Sequence, residues 1–437
     1  MFRSLLLAGV SLLGLMATAN AQDVPKFEAV LKAHAQQPGA TFVEAPADAP
    51  AEFQMSGRFT SGTRVETLEE FKDAKTGIGM PFKGQALQGF SGIRSLGDGR
   101  FVVLTDNGFG AKANSADSLL MFNTLKLDWT GHTVAREAGV FLSDPNRVVP
   151  FPIVNEATDT RYLTGADFDI ESIQPVGDSY YFGDEFGPWL IKTDAKGVVQ
   201  SVFKTQIGDL VYKGPDNQTV SAPNPGAELA GVVTQRSGGF EGMAQSPDGK
   251  TLYPLLEKTF WDADKKAFEL IDGKPAIRML QFDVATGAFA DKVRYYPLED
   301  APNSIGDFNM IDDHRALVIE RDQNQGDARD GWAAKPALLK RIYLIDIDQL
   351  DANGVVKKLG YIDLLDIKDP DGIAPRGSKD GVFTFPFDTI ENVDRVDENT
   401  IVVANDNNFP FDVSREQGKQ DDEEFMILDV TELLKAK

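Results

Sequence analysis

One unit recurs along this chain, and it is a β-hairpin. Aligned on their polar turns, five copies span residues 90–107, 168–185, 240–257, 307–322 and 388–407. Each copy has an apolar strand, a tight turn built on Asp, Glu, Gly or Asn, and a second apolar strand, the composition and turn chemistry of a hairpin. In the second copy the strands are Phe168-Asp169-Ile170-Glu171-Ser172-Ile173 and Tyr180-Tyr181-Phe182-Gly183-Asp184-Glu185; in the fifth they are Asp388-Thr389-Ile390-Glu391-Asn392-Val393 and Ile401-Val402-Val403-Ala404-Asn405-Asp406-Asn407. Carboxylates therefore stand at the strand ends far from the turn, because an antiparallel pair brings the start of its first strand beside the end of its second.

Repeated hairpins that bury a common face predict an all-β fold, here a β-propeller. The turn acids Asp98, Asp178, Asp248, Asp313 and Glu398 recur at intervals of 65 to 85 residues, longer than the roughly 40–50 of compact propeller repeats, so insertions are expected in the outer strands. Six blades are expected, with five or seven also compatible. The sixth would be assembled from material near Phe59 and the C-terminal strand Phe425-Met426-Ile427-Leu428. Helix is expected only over Val24 to Ala35 and near Glu432. Glu44 to Glu52 reads as an Ala/Pro linker, and Gly214 to Gly226 and Gln323 to Pro336 read as polar insertions over the channel mouth. The organisation predicted is a signal peptide over 1–21, an N-terminal extension or linker over 22–55, and a single propeller domain over 56–437.

The signal peptide rests on one basic residue, Arg3, a short apolar stretch from Leu5 to Ala17, and the Ala19-Asn20-Ala21 ending, with cleavage expected after Ala21. No later run is long and apolar enough for a membrane span of roughly 20 residues. A periplasmic or secreted protein is therefore expected. Oxidising surroundings permit disulfides, yet the chain has no cysteine, so core burial or bound ions must supply its stability. A net charge of −23 disfavours nucleic acid and anionic lipid as partners. A small-molecule substrate and a monomer are expected.

Arranging the hairpins around an axis carries Ser91, Asp106, Asn107, Glu171, Asp184, Glu185, Glu241, Glu257, Glu320, Asp322, Glu391, Asn405, Asp406 and Asn407 toward one face. Carboxylates packed so densely repel one another and lose hydration, at several kcal/mol each unless paired or metal-bound. Hard oxygen donors without cysteine, and with only His34, His132 and His314, suit Ca²⁺ rather than zinc or copper. A solvated strand edge is the competing reading for any single acid, but recurrence in register favours a common site. The turn acids are scaffold. Arg321, between Glu320 and Asp322, is either a counter-ion within the cluster or an anchor for an anionic group. With Lys258, Arg94 and Lys112 it would make four cations near one mouth, suiting a phosphorylated ligand; each of those three also reads as a plain surface charge. Phe186, Trp189, Phe409 and Phe411 read as packing residues. Nucleophile-elbow, triad, P-loop and dinucleotide patterns do not occur.

The motifs Phe168-Asp169-Ile170-Glu171-Ser172-Ile173, Gly183-Asp184-Glu185-Phe186-Gly187-Pro188, Gly239-Phe240-Glu241-Gly242-Met243-Ala244, Glu320-Arg321-Asp322 and Ala404-Asn405-Asp406-Asn407-Asn408-Phe409 resemble those of the phytase-like family, described as having "esterase-like activity of phytase". The resemblance runs over about residues 85–430 and implies an exported β-propeller that hydrolyses carboxylic or phosphate esters. The positions matching its motifs are Glu171, Glu185, Glu241, Glu320, Asp322, Asn405 and Asp406. The leading expectation is a Ca²⁺-dependent ester hydrolase. Those seven residues form its metal set, and Glu241, Glu171 and Arg321 serve catalysis. The alternatives are a lactonase or arylesterase like the gluconolactonase and paraoxonase propellers, and a non-catalytic propeller that calcium stabilises.

Overall fold

The structure is a computed structural model, and it describes residues 24–60, 64–65, 71–220 and 231–437. The signal-peptide segment lies outside the described residues.

Among the described residues, five groups of four antiparallel strands form the body of the molecule, with short two-stranded ladders beside them and a parallel bridge from Gln36 to Thr133 joining the first group to the fifth. The first comprises Phe90–Gly97, Arg100–Thr105, Met121–Asp128 and Thr133–Phe141. The second comprises Ile170–Val176, Ser179–Asp184, Trp189–Asp194 and Val199–Lys204. The third comprises Phe240–Gln245, Thr251–Leu256, Lys274–Met279 and Arg294–Pro297. In the fourth, Ser304–Met310, Arg315–Arg321, Lys340–Leu350 and Val356–Asp363 follow in order. The fifth takes Ile390–Arg395, Thr400–Asn405 and Glu423–Asp429, and then the N-terminal strand Val30–Gln37. Every expected hairpin supplies the two innermost strands of one sheet.

The five innermost strands touch in cyclic order, first to second and onward to fifth, which returns to the first. This is a β-propeller, and the ring formed by the described residues has five members. The sixth unit expected from the spacing is not separate: Phe425 to Leu428 form the third strand of the fifth sheet, and the outer place beside them is filled from the N-terminus.

That filling corrects the helix expected over Val24 to Ala35. Residues 30–37 form a strand in antiparallel register with 423–429, from Val30 opposite Asp429 to Gln37 opposite Glu423. Short apolar runs fit either period, and here the unpaired edge of the fifth sheet decides between them. The segment expected as an extension thus contributes a propeller strand. The tail helix does form, over Thr431–Leu434.

Apolar side chains between adjacent sheets make the cores. Phe90, Ile93 and Val103 of the first sheet pack with Val402, Ala404 and Phe425 of the fifth, all at 0 % exposure. Each such side chain contributes roughly 1.5–3 kcal/mol of hydrophobic stabilisation. In the turns, Asp248 accepts from Ser246 Oγ at 2.8 Å and the Lys250 amide at 3.1 Å, as a scaffold acid should. In two other turns the neighbour of the expected acid does this work: Asp312 rather than Asp313 binds the amides of His314 and Arg315, and Asp397 rather than Glu398 binds those of Asn399 and Thr400.

Candidate functional site

A defect repeated in three sheets aims carboxylates at the axis. In the second sheet Ile170 faces Asp184 and Ser172 faces Gly183, so Glu171 between them is skipped by the ladder. The third sheet skips Glu241 and the fifth skips Glu391 in the same way. A β-bulge of this kind frees a residue from the alternation of the strand and re-aims its side chain. The three glutamates are at most 8 % exposed and feel one another's charge. The first sheet skips Gly92 instead, and Ser91 before it donates its Oγ to Glu391 Oε2 at 2.9 Å; the fourth skips Gly306 and Asp307.

Gly306 is required by a close approach: a Cβ there would stand 1.9 Å from the Ile390 carbonyl oxygen.

A second ring comes from the ends of the adjacent strands. The residue after the one that faces the pre-bulge position is Glu185 in the second sheet, Glu257 in the third and Asp406 in the fifth; in the first sheet, whose ladder skips Gly92, Phe90 faces Thr105 and Asp106 follows it. In the fourth sheet Ile305 faces Glu320, so the ring position is Arg321. Arg321 donates to Glu391 Oε1 at 2.9 Å and Glu257 Oε1 at 3.3 Å, and it is 3 % exposed. Burial opposes its charge, but Glu391, Glu257 and Glu241 outweigh burial and hold it firmly protonated. Of its two expected roles, the counter-ion is the one formed by these contacts.

Asp169 completes the site. Among the described residues, Asp169, Glu171 and Glu185 form the one group whose ligand oxygens all lie within 4.8 Å of one another. Burial pushes Asp169 up to about 6, even though Glu171 and Asn107 bond to it. Burial, then the charges of Asp169, Glu241 and Glu391, pushes Glu171 well above the carboxylate range; burial, then Glu257 and Asp169, does the same to Glu185. Asp169 Oδ1, Glu185 Oε1 and Glu241 Oε1 are buried without a hydrogen-bond partner. Such orphaned oxygens each cost about 1–3 kcal/mol or more, a cost that a proton or a cation would offset.

Three expected metal ligands are not brought to this cluster. Glu320, one residue out of phase with Arg321, points into its sheet and is fully partnered by Tyr296 Oη at 2.9 Å, Lys358 Nζ at 2.8 Å, Asn303 Nδ2 at 2.9 Å and the Glu299 amide at 2.6 Å. Asn405 spends its amide on the next strand, accepting from the Glu424 amide at 2.7 Å and donating to the Asp422 carbonyl at 3.1 Å. Asp322 pairs with Lys340 at 3.1 Å and accepts the Leu338 amide at 2.8 Å. Strand alternation explains all three, since neighbours of a ring residue face away from the axis. Asp184 behaves likewise, accepting the amides of Asp169 at 2.8 Å and Gly187 at 2.7 Å, and burial raises it to about 7.

Arg94 also departs from expectation: it pairs with Asp394 at 3.2 Å and with Asn309 near the turn end of the inner strands. Lys258 does sit at the mouth, 2.7 Å from Glu257 Oε2, and Lys112 reaches the Asp216 carbonyl at 2.9 Å. Phe186, Trp189 and Phe409 are buried, as packing residues are. Sequence reasoning missed Asp169 as a site residue and did not anticipate that Glu423 is buried, its Oε1 accepting the amides of Gly89 and Phe90. Asp169 stands two residues before a bulged glutamate, a signal that was available; Glu423 lies in the acidic run 421–424, which reads as a solvated charge block.

No curated protein matches the sequence. Among solved structures, the chain is similar to a luciferin-regenerating enzyme at 13 % identity and a TM-score of 0.35, with 90 % of this chain and 94 % of that one covered. It is also similar to a putative 6-phosphogluconolactonase from Bacteroides uniformis, at 13 % identity and a TM-score of 0.30 over 79 % of this chain and 88 % of that one. A glutaminyl cyclase from Myxococcus xanthus gives 11 % identity and a TM-score of 0.32, over 78 % and 91 %. Residues 85–409 match the family described as "Phytase-like: Esterase-like activity of phytase", and the chain belongs to that family.

Proposed function

We propose that this protein is an exported, calcium-dependent hydrolase of carboxylic or phosphate esters, working at the acid-lined end of the propeller channel. The observation that carries the reading is the trio Asp169, Glu171 and Glu185, buried together with ligand oxygens within 4.8 Å and two of those carboxylates each holding an unpartnered oxygen. An all-oxygen, all-carboxylate donor set fits a hard cation. Asp169, Glu171 and Glu185 would hold it. Bound there, calcium would polarise an ester oxygen and acidify water.

The chain's own groups supply the rest. Glu241 Oε1 is buried and uncommitted, and its carboxyl is pushed well above the usual range by burial, then by Glu391 and Glu257. A carboxyl tuned upward can take a proton from attacking water and return it to the departing alcohol oxygen. Arg321 keeps Glu257 and Glu391 paired, so that the proton-carrying role falls to Glu241. Export rests on the first 21 residues, with their basic start, apolar stretch and Ala19-Asn20-Ala21 ending.

The test uses purified protein, chelated or supplied with calcium, on p-nitrophenyl acetate, p-nitrophenyl phosphate, phytate and a simple lactone. Hydrolysis of an ester that stops on chelation and returns with calcium supports the proposal. Activity indifferent to rigorous chelation overturns the metal role, activity confined to the lactone overturns the substrate class, and silence on every substrate overturns the enzyme.

A further inference from the structure

A cleft opens between the third and fourth sheets where their outermost strands part. Tyr295 and Val355 make one parallel bridge, with the Tyr295 amide donating to the Gly354 carbonyl at 3.0 Å. Two residues on stands Pro297, which has no amide to offer the next step of such a ladder. Between the separating strands lies a cavity of about 570 Å³, the size of a small-molecule site. Pro275, Pro297, Leu298 and Tyr361 make its apolar wall. The N-terminal segment closes one side: the Tyr361 amide donates to the Pro25 carbonyl at 3.0 Å and the Phe27 amide to the Tyr361 carbonyl at 2.8 Å, which sets Val24 against the cavity.

The charged part of this lining has the opposite sign from the chain. The protein carries 67 Asp and Glu against 44 Lys and Arg, yet the cavity is lined by four cations, Lys274, Arg341, Lys357 and Lys358, and one carboxylate, Glu299. Glu299 is already bonded, accepting from Tyr343 Oη at 2.9 Å and Lys358 Nζ at 3.2 Å, and Lys358 is shared with Glu320 at 2.8 Å. Among the described residues, Lys274, Arg341 and Lys357 make no ion pair with a carboxylate. Lys357 Nζ donates to the uncharged Gln349 Oε1 at 3.0 Å. Asp363, opposite Arg341 in the strand ladder, pairs with Lys26 at 3.5 Å. The Arg341 guanidinium is nevertheless fixed in place: it lies over the Tyr361 ring, 4.3 Å from the centroid, and donates one N–H to Tyr343 Oη at 2.9 Å. A guanidinium held by stacking, with donors to spare and an apolar wall beside it, is pre-organised for an anionic head on an apolar body.

We propose that this cleft binds an organic anion, with a carboxylate or phosphoryl head on Arg341 and Lys274 and an apolar or aromatic body against Pro275, Pro297, Leu298 and Tyr361. The site lies on the outermost strands, apart from the carboxylates Asp169, Glu171 and Glu185 at the axis, and does not depend on the hydrolase reading. Head and body are both needed. The cations supply charge and donors that the apolar wall lacks, and the wall shelters those contacts from water, which strengthens them.

The test is calorimetric titration of the chelated protein at low salt with 2-naphthoate, phenylphosphonate, inorganic phosphate and the uncharged 2-naphthol. At least one of the two organic anions should bind, and the one that binds more tightly names the head group. Inorganic phosphate and 2-naphthol, each lacking half of what the cleft recognises, should bind at least about tenfold more weakly. Arg341→Met should weaken the organic anion by about tenfold or more, and Lys274→Glu, at an exposed residue without an ion pair, by about threefold. Failure of both organic anions to bind overturns the proposal. So does 2-naphthol or inorganic phosphate binding as tightly as they do, or an affinity that neither substitution changes. Should Arg341→Met fail to fold, Lys274→Glu decides alone, and an affinity equal to that of wild type refutes the site. Binding is read without calcium or substrate, so a protein with no esterase activity can still carry this cleft, and an active esterase can lack it.

Discussion

Removing calcium should reverse the way this protein's stability responds to pH, and Asp169 sets the scale. Its carboxyl is raised by burial from an ordinary 3.8 to about 6. A carboxyl raised on folding binds its proton more tightly in the native state, so stability is fullest below the unfolded value and is lost as pH climbs through the folded one. At about 1.4 kcal/mol per pH unit, Asp169 alone removes about 3 kcal/mol between about pH 4 and somewhat above pH 6. Asp184, raised by burial to about 7, adds a loss of similar size that continues to higher pH. Against a typical total of roughly 5–15 kcal/mol, that is a large share. Glu424 does not mask the effect: burial pushes it up, but Arg415 and His34 bring it down to about 2, so its contribution is lost only at more acid pH. Calcium bound to Asp169, Glu171 and Glu185 must displace protons, so its stabilising effect should grow with pH over the same window. Urea unfolding of chelated and calcium-loaded protein, at intervals from about pH 5 to about pH 7.5, measures both slopes. Chelated protein whose stability rises across that range, or a calcium increment that is the same at both ends, would refute the reasoning.

Other substitutions separate scaffold from site. Gly306→Ala drives a methyl into the Ile390 carbonyl, 1.9 Å away, and should cost about 3 kcal/mol in urea unfolding. Arg321→Met strips the buried counter-ion from Glu257 and Glu391 and should cost about 3–5 kcal/mol in chelated protein, less once calcium is added. Glu320→Gln breaks the bond to Lys358 and should lower stability by about 1–3 kcal/mol while leaving calcium stoichiometry unchanged, since Glu320 faces away from the axis. Asp248→Asn, on an exposed turn, should shift stability by no more than about 0.5 kcal/mol.

The sequence was legible where the physics is local. Strand, turn and strand follow from composition, so all five hairpins could be read, as could the end of each that carries acids. What escaped depends on distant partners. Whether Glu320 or Arg321 faces the axis turns on one residue of phase, and the bulge that decides it needs the register of a facing strand. Val24 to Ala35 could be read as helix because its period is ambiguous until an open sheet edge is there to receive the strand from Val30 to Gln37. Glu423 hid in an acidic run, and its burial depends on distant partners, the amides of Gly89 and Phe90 that bond its Oε1.

The N-terminal strand also imposes an order of assembly. Its antiparallel partner, 423–429, is made after the strands of the other four sheets, so those sheets can form as the chain emerges while Val30 to Gln37 waits for it. An exposed strand with no partner is an aggregation hazard, and a contact between segments so far apart in sequence is slow to form. Changes to either of these two segments therefore act on the same step: the fifth sheet has its fourth strand only when Val30 to Gln37 meets 423–429.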